Sequence, residues 1–123
     1  MKIYVSHSRN FDFINELYRP FKEAGLPVEF IFPHENNEQA FNSKELFEAH
    51  GCEYVLAEVS TPSTGQGIEL GWADIFGVPI ICFYKTGVTP ANSLRNLTDE
   101  IIEYSDSRDL VNKLTRELKL NYA

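Results

Sequence analysis

The sequence is poor in the features that define several protein classes outright. Cysteine occurs twice in 123 residues, at Cys52 and Cys82. Both fall in or beside runs that read as buried strands, where a reduced thiol acts as a small apolar side chain. No Cys-x-x-Cys pair and no His-Glu-x-x-His helix is present. His34 and Glu35 are adjacent but have no partner at a ligating interval, so neither a metal site nor a cofactor is expected. Basic residues are outnumbered, 11 Lys and Arg against 18 Asp and Glu, for a formal net charge of −7. That argues against nucleic acid as a partner, which needs a basic face to displace counterions. The longest apolar run, Val78 to Tyr84, is far short of the ~20 residues of a membrane span. Met1 to Val5 reads as a strand and lacks the parts of a signal peptide, so a cytoplasmic protein is expected.

What is present is an ordinary globular composition, 43% hydrophobic and 24% charged, enough for one compact domain over residues 1–123. Strand-like and helix-like runs alternate. Ile3 to Val5 is a first strand, followed by the loop Ser6 to Asn10. Ile14, Leu17, Tyr18 and Phe21 then recur at helical spacing, with Gly25 and Pro27 ending that helix. Val28 to Phe32 is a second strand, and a polar stretch spans Asn36 to Asn42. A helix near Ser43 to His50 follows, with Ser43 as its expected N-cap. Tyr54 to Val59 and Val78 to Tyr84 read as buried strands, with a helix through Phe76 between them that Gly77 stops. Ile101 to Tyr104 is a fifth strand, and a last helix shows Leu110, Val111, Leu114 and Leu118 on one face.

Alternation without hairpin signals predicts an α/β fold: a doubly wound, mostly parallel five-stranded sheet in a Rossmann-like or flavodoxin-like three-layer sandwich. Such sheets bind ligands beyond the carboxyl ends of their strands. Three loops leave those ends: Ser6 to Asn10, Ser60 to Gly67 and Lys85 to Asn92.

The second of these loops is the most informative. Ala57-Glu58-Val59-Ser60-Thr61-Pro62-Ser63-Thr64-Gly65-Gln66-Gly67-Ile68-Glu69-Leu70-Gly71-Trp72-Ala73 leads from a strand through a hydroxyl-rich turn into a helix. Gly65 and Gly67 are expected to let the backbone bend sharply and approach a ligand. Ser63 and Thr64 offer hydroxyls beside free N–H groups, a combination that suits an anion. A glycine turn is also common geometry, and the dipole alone favours Glu early in a helix. The dinucleotide fingerprint lacks its third glycine, and the Gly-Lys-Ser/Thr phosphate loop is absent. On spacing alone an ordinary structural turn ranks above catalysis.

As a whole, the stretch resembles the nucleoside 2-deoxyribosyltransferase superfamily, and most closely its branch of 2′-deoxynucleoside 5′-phosphate N-hydrolases. The shared pattern is Ala-Glu-Val-Ser/Thr-x-Pro-Ser-x-Gly-x-Gly-x-Glu-Leu-Gly-x-Ala, then Gly77-x-Pro79-Ile80. The resemblance covers the middle of the chain strongly, the first strand and loop moderately and the last third weakly. It implies that Glu69 is the nucleophile of an N-glycosidase, working as the carboxylate of a retaining glycosidase does. Water as acceptor gives a hydrolase, and a second base gives a transferase. A position at the helix N-terminus is expected to keep Glu69 ionised.

The resemblance also implies substrate-binding roles. Ser63 matches the serine that contacts a 5′-phosphate, where the transferases carry an acidic residue. Ser6, Ser8 and Arg9 fall in the loop that contacts phosphate in the hydrolases, although His7 stands where glycine is frequent. Gly65 and Gly67 flank the same turn. Ser93 corresponds to a serine that reaches the phosphate in a neighbouring subunit, which implies a homodimer. Tyr4 is placed to flank the ligand or to pack in the core. Trp72 is placed for an interface or for the core. Eight residues before Glu53, where the family has a sugar-binding aspartate, this chain has Glu45. Glu45 is therefore a second catalytic candidate, weighed evenly against a solvated helix charge.

The expected activity is hydrolysis of a (2′-deoxy)nucleoside 5′-monophosphate to free base and sugar 5-phosphate. The expected partner is a small-molecule nucleotide or nucleoside, with no nucleic acid and no membrane. Base exchange is the first alternative. Ile3-Tyr4-Val5-Ser6-His7-Ser8 also resembles the start of a TIR domain, which raises an NAD glycohydrolase. A non-catalytic nucleotide-binding module is the remaining reading.

Overall fold

A computed structural model describes residues 1–35 and 41–119. Of the polar stretch expected from Asn36 to Asn42, residues 36–40 therefore lie outside the described residues. Five strands form one sheet: β1 (Lys2–His7), β2 (Glu29–Ile31), β3 (Tyr54–Glu58), β4 (Ile80–Lys85) and β5 (Ile101–Tyr104). Their order is β2-β1-β3-β4-β5, and every pairing is parallel. The helices are α1 (Arg19–Ala24), α2 (Ser43–Glu48), α3 (Thr64–Ile75) and α4 (Ser107–Glu117). A 3₁₀ turn, Asn92–Asn96, lies between β4 and β5. This is the flavodoxin-like order of the doubly wound fold, with the topological switch between β1 and β3.

The period-two alternation of each strand distributes side chains between two cores. Ile3, Val5, Leu56, Ile81 and Phe83 face α1 and α4, where Leu17, Phe21, Leu110 and Leu114 close the layer. Tyr4, Val55, Ala57, Ile80 and Cys82 face α2 and α3, meeting Phe47, Leu70 and Ala73. Cys52 and Cys82 are free and buried, and burial pushes their thiols up to about 11 and about 12. Among the described residues no helix is long and apolar enough to cross a membrane.

Several local expectations need correction. The stripe expected to start at Ile14 begins as a π-helical segment, Ile14–Tyr18, with the Arg19 N–H bonded to the Ile14 carbonyl. The wider winding turns Ile14 out of the stripe, and it is exposed while Leu17, Tyr18 and Phe21 are buried. Asn42, not Ser43, caps α2. Its side chain accepts from the Glu45 N–H at 3.0 Å, while Ser43 is the first helical residue and is buried. Helix α3 starts earlier than its sequence suggests. Ser63 is the N-cap, accepting from the Gln66 N–H at 3.3 Å, so Gly65 and Gly67 already belong to the helix. Neither glycine has a positive φ, so neither bends the chain as expected. A side chain at either position would meet only open space. Gly25 and Gly77 do end their helices as read, at φ +63° and +73°.

Candidate active site

On the face of β1 that α3 covers, Tyr4 and Glu69 meet. Tyr4 projects from β1 toward α3, and its hydroxyl donates to Glu69 Oε2 at 2.8 Å. The phenol is held on every side. Phe47 packs edge-on at 5.2 Å between ring centroids and Phe41 lies tilted at 5.6 Å. Ser43, buried at the start of α2, lies beside the phenol. Burial, then the charge of Glu69, raises the Tyr4 hydroxyl far above its ordinary value. Tyr4 is thus a permanent hydrogen-bond donor to the carboxylate.

Glu69 lies in the second turn of α3, beyond the first-turn N–H groups. The dipole effect fades within the first turn, so the expectation that the helix N-terminus governs this carboxylate is corrected. Its side chain is oriented by Tyr4 instead.

The loop after β1 holds Ser6, Ser8 and Arg9. Ser6 is buried, and its Oγ is the one buried side-chain polar atom without a hydrogen-bond partner among the described residues. Ser8 is buried, with its Oγ accepting from the Asn10 N–H at 3.1 Å. Arg9 is exposed, and its charge reaches His7 and His34.

A second feature opens on the other flank of α3. A cavity of about 310 Å³ is lined by the hydroxyl-bearing residues Ser60, Thr61, Ser63, Thr64, Thr89 and Ser93, with Gly67 in its wall. Neither Tyr4 nor Glu69 lines it. Gly67 and Glu69 are two positions apart, which is about 200° around a helix axis. The structure therefore gathers Ser63, Gly67 and Ser93 at one cavity and Tyr4 with Glu69 beside β1, with the first turns of α3 between. Gly65 lines neither.

Glu45 stands apart from both. It is exposed on α2, and its carboxylate accepts from the Asn42 side-chain amide at 3.2 Å, which completes a reciprocal cap. Among the described residues no hydrogen bond joins Glu45 to Glu69 or Tyr4.

Sequence reasoning missed three groups. Ser43 and Phe41 adjoin the Tyr4 phenol, and the signal for Ser43 was masked by its assignment as a cap. His7 anchors the first loop: its Nδ1–H donates to the Ser8 carbonyl at 2.7 Å. Its Nε2 therefore accepts from the Tyr18 hydroxyl, at 2.6 Å. Glu58, a buried acid in an otherwise apolar strand, bonds both to the turn after β3 and to Tyr104. Among the described residues no cluster of three His, Cys, Asp or Glu side chains could hold a metal ion.

Solved structures of the same fold include a CMP N-glycosidase from Clostridium botulinum, at TM-score 0.63 and 22% identity over 93% of this chain and 98% of that one. A conserved protein from Enterococcus faecalis matches at TM-score 0.59 and 15% identity, over 95% and 98% of the two chains. A pilus assembly protein from Burkholderia thailandensis matches at TM-score 0.58 and 11% identity, over 97% and 98%. At such identities the likeness establishes the architecture, which proteins of different function share here. No family model and no curated protein matches the chain.

Proposed function

We propose that this protein hydrolyses the N-glycosidic bond of a nucleoside 5′-monophosphate, with Glu69 as nucleophile. The observation that carries the reading is the Tyr4–Glu69 pair. A carboxylate fixed by a buried phenol stands two positions along α3 from Gly67, which lines a cavity rich in Ser and Thr. One Glu69 oxygen bonds to C1′ as the C1′–N bond breaks. The electron pair leaves with the base, which takes up a proton from solvent. Water then attacks C1′ of the glycosyl ester, releasing sugar 5-phosphate and restoring the carboxylate. Ser63, Thr64 and Ser93 supply hydroxyls for the phosphate, together with the free N–H groups opening α3. The related fold of a CMP N-glycosidase supports a nucleotide as the substrate class.

A second copy of the chain is the partner in this reading. Helix α3 turns a second apolar stripe outward, with Ile68 at 52% and Ile75 at 79% exposure beside half-buried Trp72. A self-complementary stripe of this kind suits a two-fold interface.

The experiment is a panel of ribo- and deoxyribonucleoside 5′-monophosphates incubated with purified protein and read by released base. At least one should be hydrolysed, and Glu69→Gln should abolish release while keeping the thermal transition. Added free base should not be incorporated into nucleotide. A Glu69→Gln variant as active as the parent would overturn the reading.

A further inference from the structure

Glu58 does more than fill a strand. It ends β3 with its side chain on the face opposite Glu69, and it is 2% exposed. Among the described residues it makes no ion pair. A carboxylate withdrawn from water without a cation is costly unless donors surround it. Here three do. The Ser60 N–H reaches Oε1 at 2.6 Å, the Ser60 hydroxyl reaches Oε2 at 3.0 Å, and the Tyr104 hydroxyl donates to Oε2 as well. Burial, followed by the bond to Glu58, raises the Tyr104 phenol far above its ordinary value and keeps it a donor.

These bonds tie the carboxyl ends of three strands together. Tyr104 ends β5, and its ring passes Phe83 of β4 to reach Glu58. The Ser60 hydroxyl also accepts from the Lys85 N–H at 2.8 Å, at the end of β4. The Glu58 backbone carbonyl takes the Gln66 side-chain amide at 2.9 Å, and Gln66 is buried in the first turn of α3. The turn Thr61–Thr64 is thus clamped at its entrance by Ser60 and at its exit by Gln66. Both fastenings converge on Glu58. The residues of that turn line the 310 Å³ cavity.

We propose that Glu58, through Tyr104 and Ser60, is a positioning residue that holds the turn Thr61–Thr64 in the shape that receives the 5′-phosphate. The proposal rests on the glycosidase reading above. Glu58 touches no substrate and takes part in no bond change. It fixes the hydroxyls of Ser63 and Thr64 before the ligand arrives, so that no ordering is left to be done on binding.

Tyr104→Phe removes one donor from Glu58 and leaves the ring in the core, and Glu58→Gln is the companion variant that replaces one carboxyl oxygen with an amide nitrogen. Both are checked by thermal melting. The full chain is assayed with its best monophosphate, and inorganic phosphate is used as a competitive inhibitor. In either folded variant KM for the monophosphate and the inhibition constant for phosphate should each rise about tenfold, with kcat nearly unchanged. A group that only stabilised the fold would lower the active fraction and leave both constants alone. Unchanged KM and phosphate inhibition in a folded variant overturn the proposal. A parent protein that hydrolyses no monophosphate is a different failure, because it removes the glycosidase reading itself.

Discussion

Tyr4 and Glu69 are 65 positions apart in the sequence, and the phenol of the first holds the carboxylate of the second through a 2.8 Å hydrogen bond. Parallel topology makes that contact possible: β1 and β3 are neighbours, and α3, which follows β3, packs over β1. The bond has a kinetic consequence. A hydrogen bond to a charged group contributes about 1.5–3 kcal/mol, and in the proposed reaction it orients the attacking oxygen. Tyr4→Phe keeps the ring between Phe41 and Phe47 and removes only the hydroxyl. The turnover number should fall roughly ten- to a hundredfold while KM moves little. Steady-state kinetics on the best monophosphate checks this, and an unchanged turnover number would detach Tyr4 from the chemistry.

The strands and their parallel pairing were legible because buried parallel strands leave nearly continuous apolar runs, as in Val78 to Tyr84. Helix starts were less legible. Ser43 and Ser63 are both serines before a helical pattern, yet only Ser63 caps, because Asn42 stands one position earlier with a longer side chain. The site divides in the same way. Glu69 stands out only through its motif, and its hydrogen-bond partner Tyr4 could be assigned equally to the core, since no periodicity says which ring atom meets which carboxylate. Glu58 left a visible trace, an acid between Val55-Leu56-Ala57 and Val59, whose meaning depended on Tyr104 two strands away.

Glu45 separates a motif-based assignment from a geometric one. Its carboxylate pairs with Asn42 at the helix cap, on the exposed side of α2, while buried Ser43 next to it in the sequence lies beside the Tyr4 phenol. Glu45→Gln should leave kcat/KM within about twofold and cost roughly 0.5 kcal/mol of stability as the cap weakens. Ser43→Ala should lower kcat/KM further than that, through Tyr4. If Glu45→Gln is instead the more damaging change, Glu45 moves to the sugar on substrate binding and takes the place of the expected aspartate.

The outward stripe of α3 predicts association. Ile75 is 79% exposed and Ile68 52% exposed, Ile68 next to Glu69 in the sequence and Ile75 six positions further along the same helix. A charge placed at the centre of a self-complementary interface is met by its own copy, so its cost is doubled. Ile75→Lys together with Ile68→Lys should convert a dimer of the parent protein to monomers in sedimentation. A monomeric parent at high concentration would remove the two-fold interface from the reading.

The pH dependence of stability follows from His7. The ring is 6% exposed, donates to the Ser8 carbonyl and accepts from Tyr18. Burial, with lesser effects from His34 and Arg9, lowers it from 6.5 to about 4. Folding therefore holds the ring neutral at pH values where the unfolded chain binds a proton. The stabilisation is complete above 6.5, is lost at roughly 1 kcal/mol per pH unit as pH falls toward 4, and levels off below that. His34, lowered by burial in the same direction but more exposed, adds a smaller loss. Carboxylates titrate in part of the same range, so the parent protein must be compared with His7→Gln. The variant should be less stable at neutral pH, having lost the Tyr18 contact, and its melting temperature should change less between pH 6.5 and 4. Parallel melting profiles for the two proteins would mean that His7 is protonated in the folded state, and that the Ser8–His7–Tyr18 chain does not hold the neutral ring.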